Sequence, residues 1–400
     1  MKSNGKETIW NRDFILLLTI NAFVFISMHM LSTTIAKFAM SLNGTEAIAG
    51  VVAGIFSAAS IAVRPVCGVL ADRSSKKLLY LAAILCIFLS MLGYSAAANN
   101  TTVMAFRLLH GVGWGFATTI GMTMATDTAP ESKIGECTSV YGLANVLAMA
   151  IAPSIGNYLS DAYGYRIMFF SAAVVVALAF AMLIPVKETR NPNAQKKDRI
   201  RLNDVVVKEA VFPAAALFLY GMVYSAITAF LIIYSKEAGI EKPSIFFTIY
   251  SVCILVVRLC SGKIVDTKGP EFILVPGAFF FVGCLLLLSN LKETWMLYGA
   301  AVCLGLGYSP NLSTLMAVSF KRTGRQNRGA VSSTINIGMD LGQGIGSSVA
   351  GLVALHFGYS ALYAVLIIPV IMAIALFLAD QRCYKGKMGF YRETGVLKQP

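Results

Sequence analysis

Arg64-Pro65-Val66-Cys67-Gly68-Val69-Leu70-Ala71-Asp72-Arg73-Ser74-Ser75-Lys76-Lys77 decides how the rest of the chain is read. An apolar run closes on Gly68 and Asp72, four residues apart and so on one face of a helix, and the cations Arg73, Lys76 and Lys77 follow at once. An apolar helix that stops on clustered positive charge marks the cytoplasmic edge of a membrane. The spacing returns further on, where Arg64, Gly68 and Asp72 recur as Arg258, Gly262 and Asp266, each displaced by 194 residues (258 − 64). The same shift carries Gly111 and Gly113 to Gly305 and Gly307, and Gly164-Tyr165 to Gly358-Tyr359. One register held from position 64 to 165 identifies a duplicated unit, the design expected of two bundles that rock about a shared central site.

Composition places that unit in lipid. Of 400 residues, 57% are hydrophobic and only 13% charged, with a mean hydropathy of +0.70, which excludes water-soluble domains and fits a polytopic membrane protein. The net charge of +13 does not point to nucleic acid, because the cations lie between apolar runs rather than on one folded face. The eight cysteines include no Cys-x-x-Cys pair and mostly fall in or beside apolar runs, so they read as small core hydrophobes rather than a disulfide or metal framework. Lys2, Lys6 and Arg12 precede an apolar run too long for a signal peptide, which is expected to be a retained first span.

Twelve apolar segments are long enough to cross hydrocarbon as helices: 14–38, 47–71, 78–97, 102–126, 138–159, 167–185, 211–234, 244–265, 272–288, 294–320, 330–356 and 361–379. The expected fold is all-α, twelve transmembrane helices in two pseudo-symmetric six-helix bundles. The bundles are expected at 1–186 and 210–381, with a cationic linker at 187–209 and a tail at 382–400. If both termini are cytoplasmic, 24 of the 33 lysines and arginines fall on that side and only Lys37, Arg166, Lys236, Lys242 and Lys292 opposite. The positive-inside rule therefore selects that orientation, multi-pass in the inner (plasma) membrane.

Three motifs resemble those of the major facilitator superfamily, and most of all its drug/proton antiporter branch. Gly68 to Lys77 resembles the loop signature between the second and third spans; Arg107-x-x-His110-Gly111 is similar to the Arg-x-x-x-Gly motif of the fourth; Pro153-x-x-Gly156 is similar to the antiporter motif of the fifth, with Ala148 and Ala152 where glycines usually stand. The resemblance implies a secondary transporter working by alternating access. It also implies a latch made of Gly68, Asp72, Arg73 and Lys77, repeated more weakly by Gly262 and Asp266, because Thr267 follows Asp266 where arginine would be expected.

Asp340 lies some 16 Å of helix rise into the eleventh segment, about eleven residues, near the bilayer midplane. A carboxylate there is costly when ionised, so it is either a proton-coupling acid or permanently paired with an arginine or capped by Asn336 and Gln343. Arg107 and His110 share a helical face; they form a second candidate proton-coupling pair or an interhelical anchor. His29, Tyr220, Tyr224, Asn336 and Gln343 are candidate cavity residues. Arg64 and Arg258, two turns before the loop aspartates, are expected to snorkel to the interface as gate residues.

Three intramembrane arginines against one aspartate leave +2, which favours an anionic or zwitterionic solute. The expected function is proton-coupled efflux of small organic or amphipathic molecules, the alternative being proton-coupled uptake of a small metabolite or organic anion. A membrane-embedded enzyme or a sensor is remote, since neither clustered nucleophile and base nor a nucleotide-binding loop is present. No cofactor or metal is expected beyond the proton gradient; the partners are a small-molecule substrate and the lipid bilayer, without nucleic acid, and the monomer is the expected unit.

Overall fold

The computed structural model describes residues 8–32, 34–43, 46–188, 207–243, 245–323 and 327–393, and they are almost wholly helical. The helices are α1 Arg12–Ser32, a short α2 Ile35–Ser41, α3 Glu46–Arg73, α4 Lys76–Ala96, α5 Asn100–Thr128, α6 Ile134–Tyr163 and α7 Tyr165–Leu183. The second half comprises α8 Lys208–Glu237, α9 Ile245–Lys268, α10 Glu271–Ser289, α11 Thr294–Thr323, α12 Arg328–Val365 and α13 Ile367–Glu393. Most of the linker expected at 187–209 lies outside the described residues.

The duplication read from spacing is present in the backbone. Gly164 ends α6 at φ 84° and Gly358, 194 residues on, interrupts α12 at φ 79°. Only glycine takes such angles without strain, and each marks where one span stops and the next turns back. With α2 completing the crossing begun by α1, and residues 359–365 beyond Gly358 completing that of α13, the described helices make twelve crossings, as expected. The equivalent glycines also seat against equivalent partners. A Cβ on Gly113 would press on the carbonyl of Ala83, and one on Gly307 on that of Gly277, again 194 residues apart.

Two features depart from the expectation. The first segment is not one helix: it ends at Ser32 and resumes at Ile35, and the buried Thr34 hydroxyl bonds back to the Met30 carbonyl at 3.0 Å, an alternative to a regular helical turn. Among the described residues, ten helical stretches are long and apolar enough to cross a membrane, and neither α5 nor the first part of α12 is among them. Those two carry Arg107 and His110, and Asn336, Asp340 and Gln343, so their polarity lowers the hydropathy that the other ten possess.

The outside of the barrel is apolar. Phe279, Leu355 and Phe357 are each about three-quarters exposed, an arrangement that suits hydrocarbon and not water. Inside, the bundles meet chiefly through α3 against α12 and α6 against α9. Small residues permit the approach. A Cβ on Gly68 would lie 2.6 Å from Ser333 Cβ and 2.9 Å from Ala330 Cα, and one on Gly262 would lie 2.5 Å from the Gly135 carbonyl.

Near this second crossing, buried Ser139 faces Ser261 and Ser313 Oγ atoms at 3.5 and 3.3 Å. Gly262→Val is expected to pry the crossing apart. In a Ser139→Cys background, labelling by N-ethylmaleimide should then rise severalfold; unchanged labelling would show that the glycine contact does not hold this face shut.

Candidate functional site

Where α3 ends, Asp72 accepts hydrogen bonds from the backbone N–H groups of Gly329 and Ala330, at 2.8 and 2.9 Å, in the first turn of α12. Where α9 ends, Asp266 accepts from the N–H groups of Gly135 and Glu136, both at 2.9 Å, in the first turn of α6. Subtracting 194 from 266, 329 and 330 returns 72, 135 and 136, so the two clamps are one motif used twice, crosswise. The first N–H groups of a helix have no intrahelical acceptor and carry the positive end of its dipole. A carboxylate from the opposite bundle satisfies two of them at once.

Side-chain charges reinforce each clamp differently. Around Asp72, the fully buried Arg328 donates to the Thr126 carbonyl, to Asp127 at 3.4 Å and to Glu131 at 2.9 Å, while Lys76 pairs with Asp127. Around Asp266, Lys321 stands 2.6 Å away. The second clamp was expected to be weak for want of a following arginine; its cation comes from α11 instead. Lys77 lies outside the clamp, donating to the Ile184 carbonyl at the end of α7 at 2.6 Å, and Lys76 takes the place expected of it. Asp127, Glu131 and Arg328 were not singled out from the sequence. The signal was available in the repeat: Asp127 and Lys321 are 194 apart with opposite charge.

Deeper in the bilayer, Arg64 does not snorkel. Its Nε donates to Asp340 Oδ2 at 2.7 Å, its Nη1 reaches Thr118 and Thr119 hydroxyls at 3.3 and 3.4 Å, and its own carbonyl accepts from Ser333. Arg64 is 2% exposed and Asp340 22%, so the ion pair is shielded on one side and open on the other. It joins α3 of one bundle to α12 of the next. Asn336, one turn before Asp340, is buried and donates to Ser332 at 3.4 Å; Gln343 packs over Gly221 of α8.

Arg258, the repeat partner of Arg64, is also buried and also aimed at the opposite bundle. Its Nε donates to Ser309 at 2.6 Å, and its Nη1 rests on Gly142 of α6. Among the described residues no carboxylate meets it.

Aromatic surfaces rise from this level away from the clamps. In the first bundle, half-buried His29 hydrogen-bonds Asn145 at 2.9 Å and stacks on Phe25, which meets Trp114 edge-on at 5.0 Å. In the second, Tyr224 stacks on Tyr308 at 4.4 Å and its hydroxyl points to Met149 Sδ of the first bundle, 3.9 Å away. Tyr220 sits elsewhere than expected, while Arg107 and His110 hold positions that agree with the interhelical-anchor alternative. Tyr220 lies within the second bundle against Asn311 at 3.2 Å rather than on the cavity. Arg107 and His110 are interior to the first bundle: Arg107 Nε donates to the Val52 carbonyl at 3.0 Å under a cation–π contact with Phe56, and His110 meets the Tyr94 hydroxyl at 3.3 Å. Gly156 of the Pro153 motif packs on the backbone of Met30.

Apart from the Tyr224–Met149 contact, every described hydrogen bond and ion pair between the bundles lies between the Arg64–Asp340 level and the clamped face. The chain is thus shut on one side. A family model described as Major Facilitator Superfamily matches residues 17–336 and 272–387.

The chain belongs to the Major Facilitator Superfamily.

Its relatives include the Multidrug resistance protein MdtG of Escherichia fergusonii, 26% identical over 328 residues, which cover 79% of this chain and 80% of that one. MdtG of Enterobacter lignolyticus is also 26% identical, over 79% of this chain and 78% of its own. Among solved structures, the human organic anion transporter MFSD10 aligns at a TM-score of 0.78 with 13% identity, covering 91% of this chain and 98% of that one. FucP in the outward conformation aligns at 0.78 with 17% identity, covering 94% and 99%. As a superfamily member the chain is a multi-pass membrane transporter, not an enzyme.

Removing one partner of a buried ion pair costs about 3–5 kcal/mol, whereas replacing both by apolar groups is close to neutral. Arg64→Met is therefore expected to lower the melting temperature in detergent, and Asp340→Leu added to it to restore most of the loss. Additive losses in the double variant would refute the pairing.

Proposed function

We propose that this transporter exports small organic molecules in exchange for protons, in the inner membrane, as a monomer, with the clamped face and both termini cytoplasmic. The observation that carries the reading is the Arg64–Asp340 pair, an ionisable bond between bundles that is half open to the crevice. With Asp340 charged, the pair adds to the clamps and favours the shut cytoplasmic face. A proton arriving from outside neutralises Asp340, leaves Arg64 to the Thr118 and Thr119 hydroxyls, and removes the deepest tie between α3 and α12. The bundles then part on the cytoplasmic side, where the proton leaves and a solute enters. Re-formation of the pair returns the loaded crevice to the outside.

Export rather than uptake is supported by the MdtG relatives, named as multidrug resistance proteins, and by the Pro153–Gly156 motif. The cationic face supports the orientation, since Arg328, Lys76, Lys133 and Lys321 all gather on it.

The test is transport in everted membrane vesicles acidified inside. The full chain is expected to concentrate amphipathic fluorescent solutes into the lumen as protons leave, and Asp340→Asn to abolish the pH-driven component while the protein remains inserted. Coupled flux undiminished in Asp340→Asn would remove that acid from the mechanism, and loss of preloaded solute would indicate uptake. Asp72→Asn keeps the side-chain shape but loses the charge against the α12 amides, an interaction of at most about 2 kcal/mol. It is expected to slow turnover severalfold with KM little changed; a large rise in KM would contradict a latch role.

A further inference from the structure

The two halves of this chain differ at one pair of positions. Arg64 has Asp340 opposite it; Arg258, its counterpart, should find an acid at position 146, which is 194 before 340, and Val146 stands there. Val146 is buried on α6 one turn beyond Gly142, the residue on which the Arg258 guanidinium rests. By helix geometry positions 142 and 146 share a face, as Asn336 and Asp340 do on α12. The second arginine therefore keeps its pose across the interface and lacks its counter-ion.

An uncompensated guanidinium at this depth is costly. Arg258 is 6% exposed, and its described hydrogen bonding is a single bond from Nε to Ser309. Its terminal nitrogens, the fork that binds a carboxylate through two parallel hydrogen bonds, have no acceptor among the described residues. Aromatic rings lie beside it: Tyr308 directly precedes Ser309, to which Arg258 donates, and stacks on Tyr224 at the bundle interface, with Tyr250 against the same Tyr224. Such rings suit contact with the planar apolar body of a solute whose anionic end meets the arginine.

Resting on the transport function proposed above, we infer that Arg258 is the recognition point for the anionic head of the transported solute, an amphipathic aromatic carboxylate or sulfonate, and that Val146 keeps that point free. The occupant supplies in the second half the negative charge that Asp340 supplies in the first. Solute binding thereby ties α9 to α6 as the ion pair ties α3 to α12.

The test uses the purified full chain and two isosteric probes, 1-naphthoate and its neutral amide 1-naphthamide. Equilibrium dialysis is expected to show the wild type binding naphthoate at least tenfold more tightly than the amide. Arg258→Gln should reduce that ratio to near one, and Arg258→Lys should keep part of it, since the charge remains and the fork is lost. Val146→Asp leaves Arg258 in place and offers it an internal acid, so it should also abolish the preference, and it carries the test if Arg258→Gln fails to fold. A wild type without preference for the anion, or a preference that survives both Arg258→Gln and Val146→Asp, overturns the inference. The vesicle assay separates this from the transport reading: pH-driven flux of neutral or cationic solutes with no anion preference in dialysis leaves proton-coupled export standing. Anion-selective binding without pH-driven flux of any probe has the opposite meaning.

Discussion

Two helices of this protein begin at the interface between its bundles, and each begins with amide groups that have nothing within their own helix to bond. Gly329, Ala330 and Gly135 are buried in the crossings, so water does not make up that deficit as it does at an exposed helix start. The acceptor must come from the protein, and here it comes from the other bundle: Asp72 for α12 and Asp266 for α6. That requirement explains several otherwise separate facts. Gly68 and Gly262 are glycines because the acid one turn further on can reach the amides only if the helices nearly touch. The cations crowd the same face because they balance the carboxylates brought there.

The clamps are alike in backbone and unlike in side chains. Arg328, Asp127, Glu131 and Lys76 form a network around the first, whereas Lys321 stands at the second. Deeper in, the contrast is sharper, with an arginine–aspartate pair on one side and an arginine beside a valine on the other. A strictly symmetric pair of bundles would tie both interfaces by the same chemistry. Here one interface is held by a largely buried ion pair, and at the other the equivalent arginine donates to Ser309 and meets no carboxylate among the described residues. The asymmetry sets two different chemistries on the two sides of the bundle interface.

Most of the fold was legible in the chain, because lipid leaves few options. Apolar segments of spanning length must be helices, and the 194-residue repeat points to two bundles. Gly164 and Gly358 confirm that repeat at the level of backbone angle. The site was legible in part. The loop aspartates and Asp340 stood out since charge is rare in apolar runs, yet their partners did not. Arg64 was expected to snorkel because a helix in isolation offers it only the interface, and a carboxylate 276 residues away in sequence is invisible to local reasoning. Asp127 and Arg328 hid among ordinary loop charges. Tyr220 and Tyr224 are four apart on one helix, yet their different neighbours seat one hydroxyl within its bundle and the other at the interface.

The two helical segments too polar to meet the apolar criterion for a span are α5 and the start of α12, and the placement of their polar groups explains how they persist. Thr119, Thr123 and Thr126 of α5 bond back to their own helix or accept across it from Ser332 and Arg328 of α12. Polar groups that would be expensive against lipid are instead turned toward one another, and 4% exposure leaves Arg107 in the same condition. These segments are held in the membrane by the apolar helices around them. A helix apolar enough to be stable alone in lipid needs no such partners, whereas one whose polar groups are satisfied by neighbouring helices depends on those contacts to stay where it is.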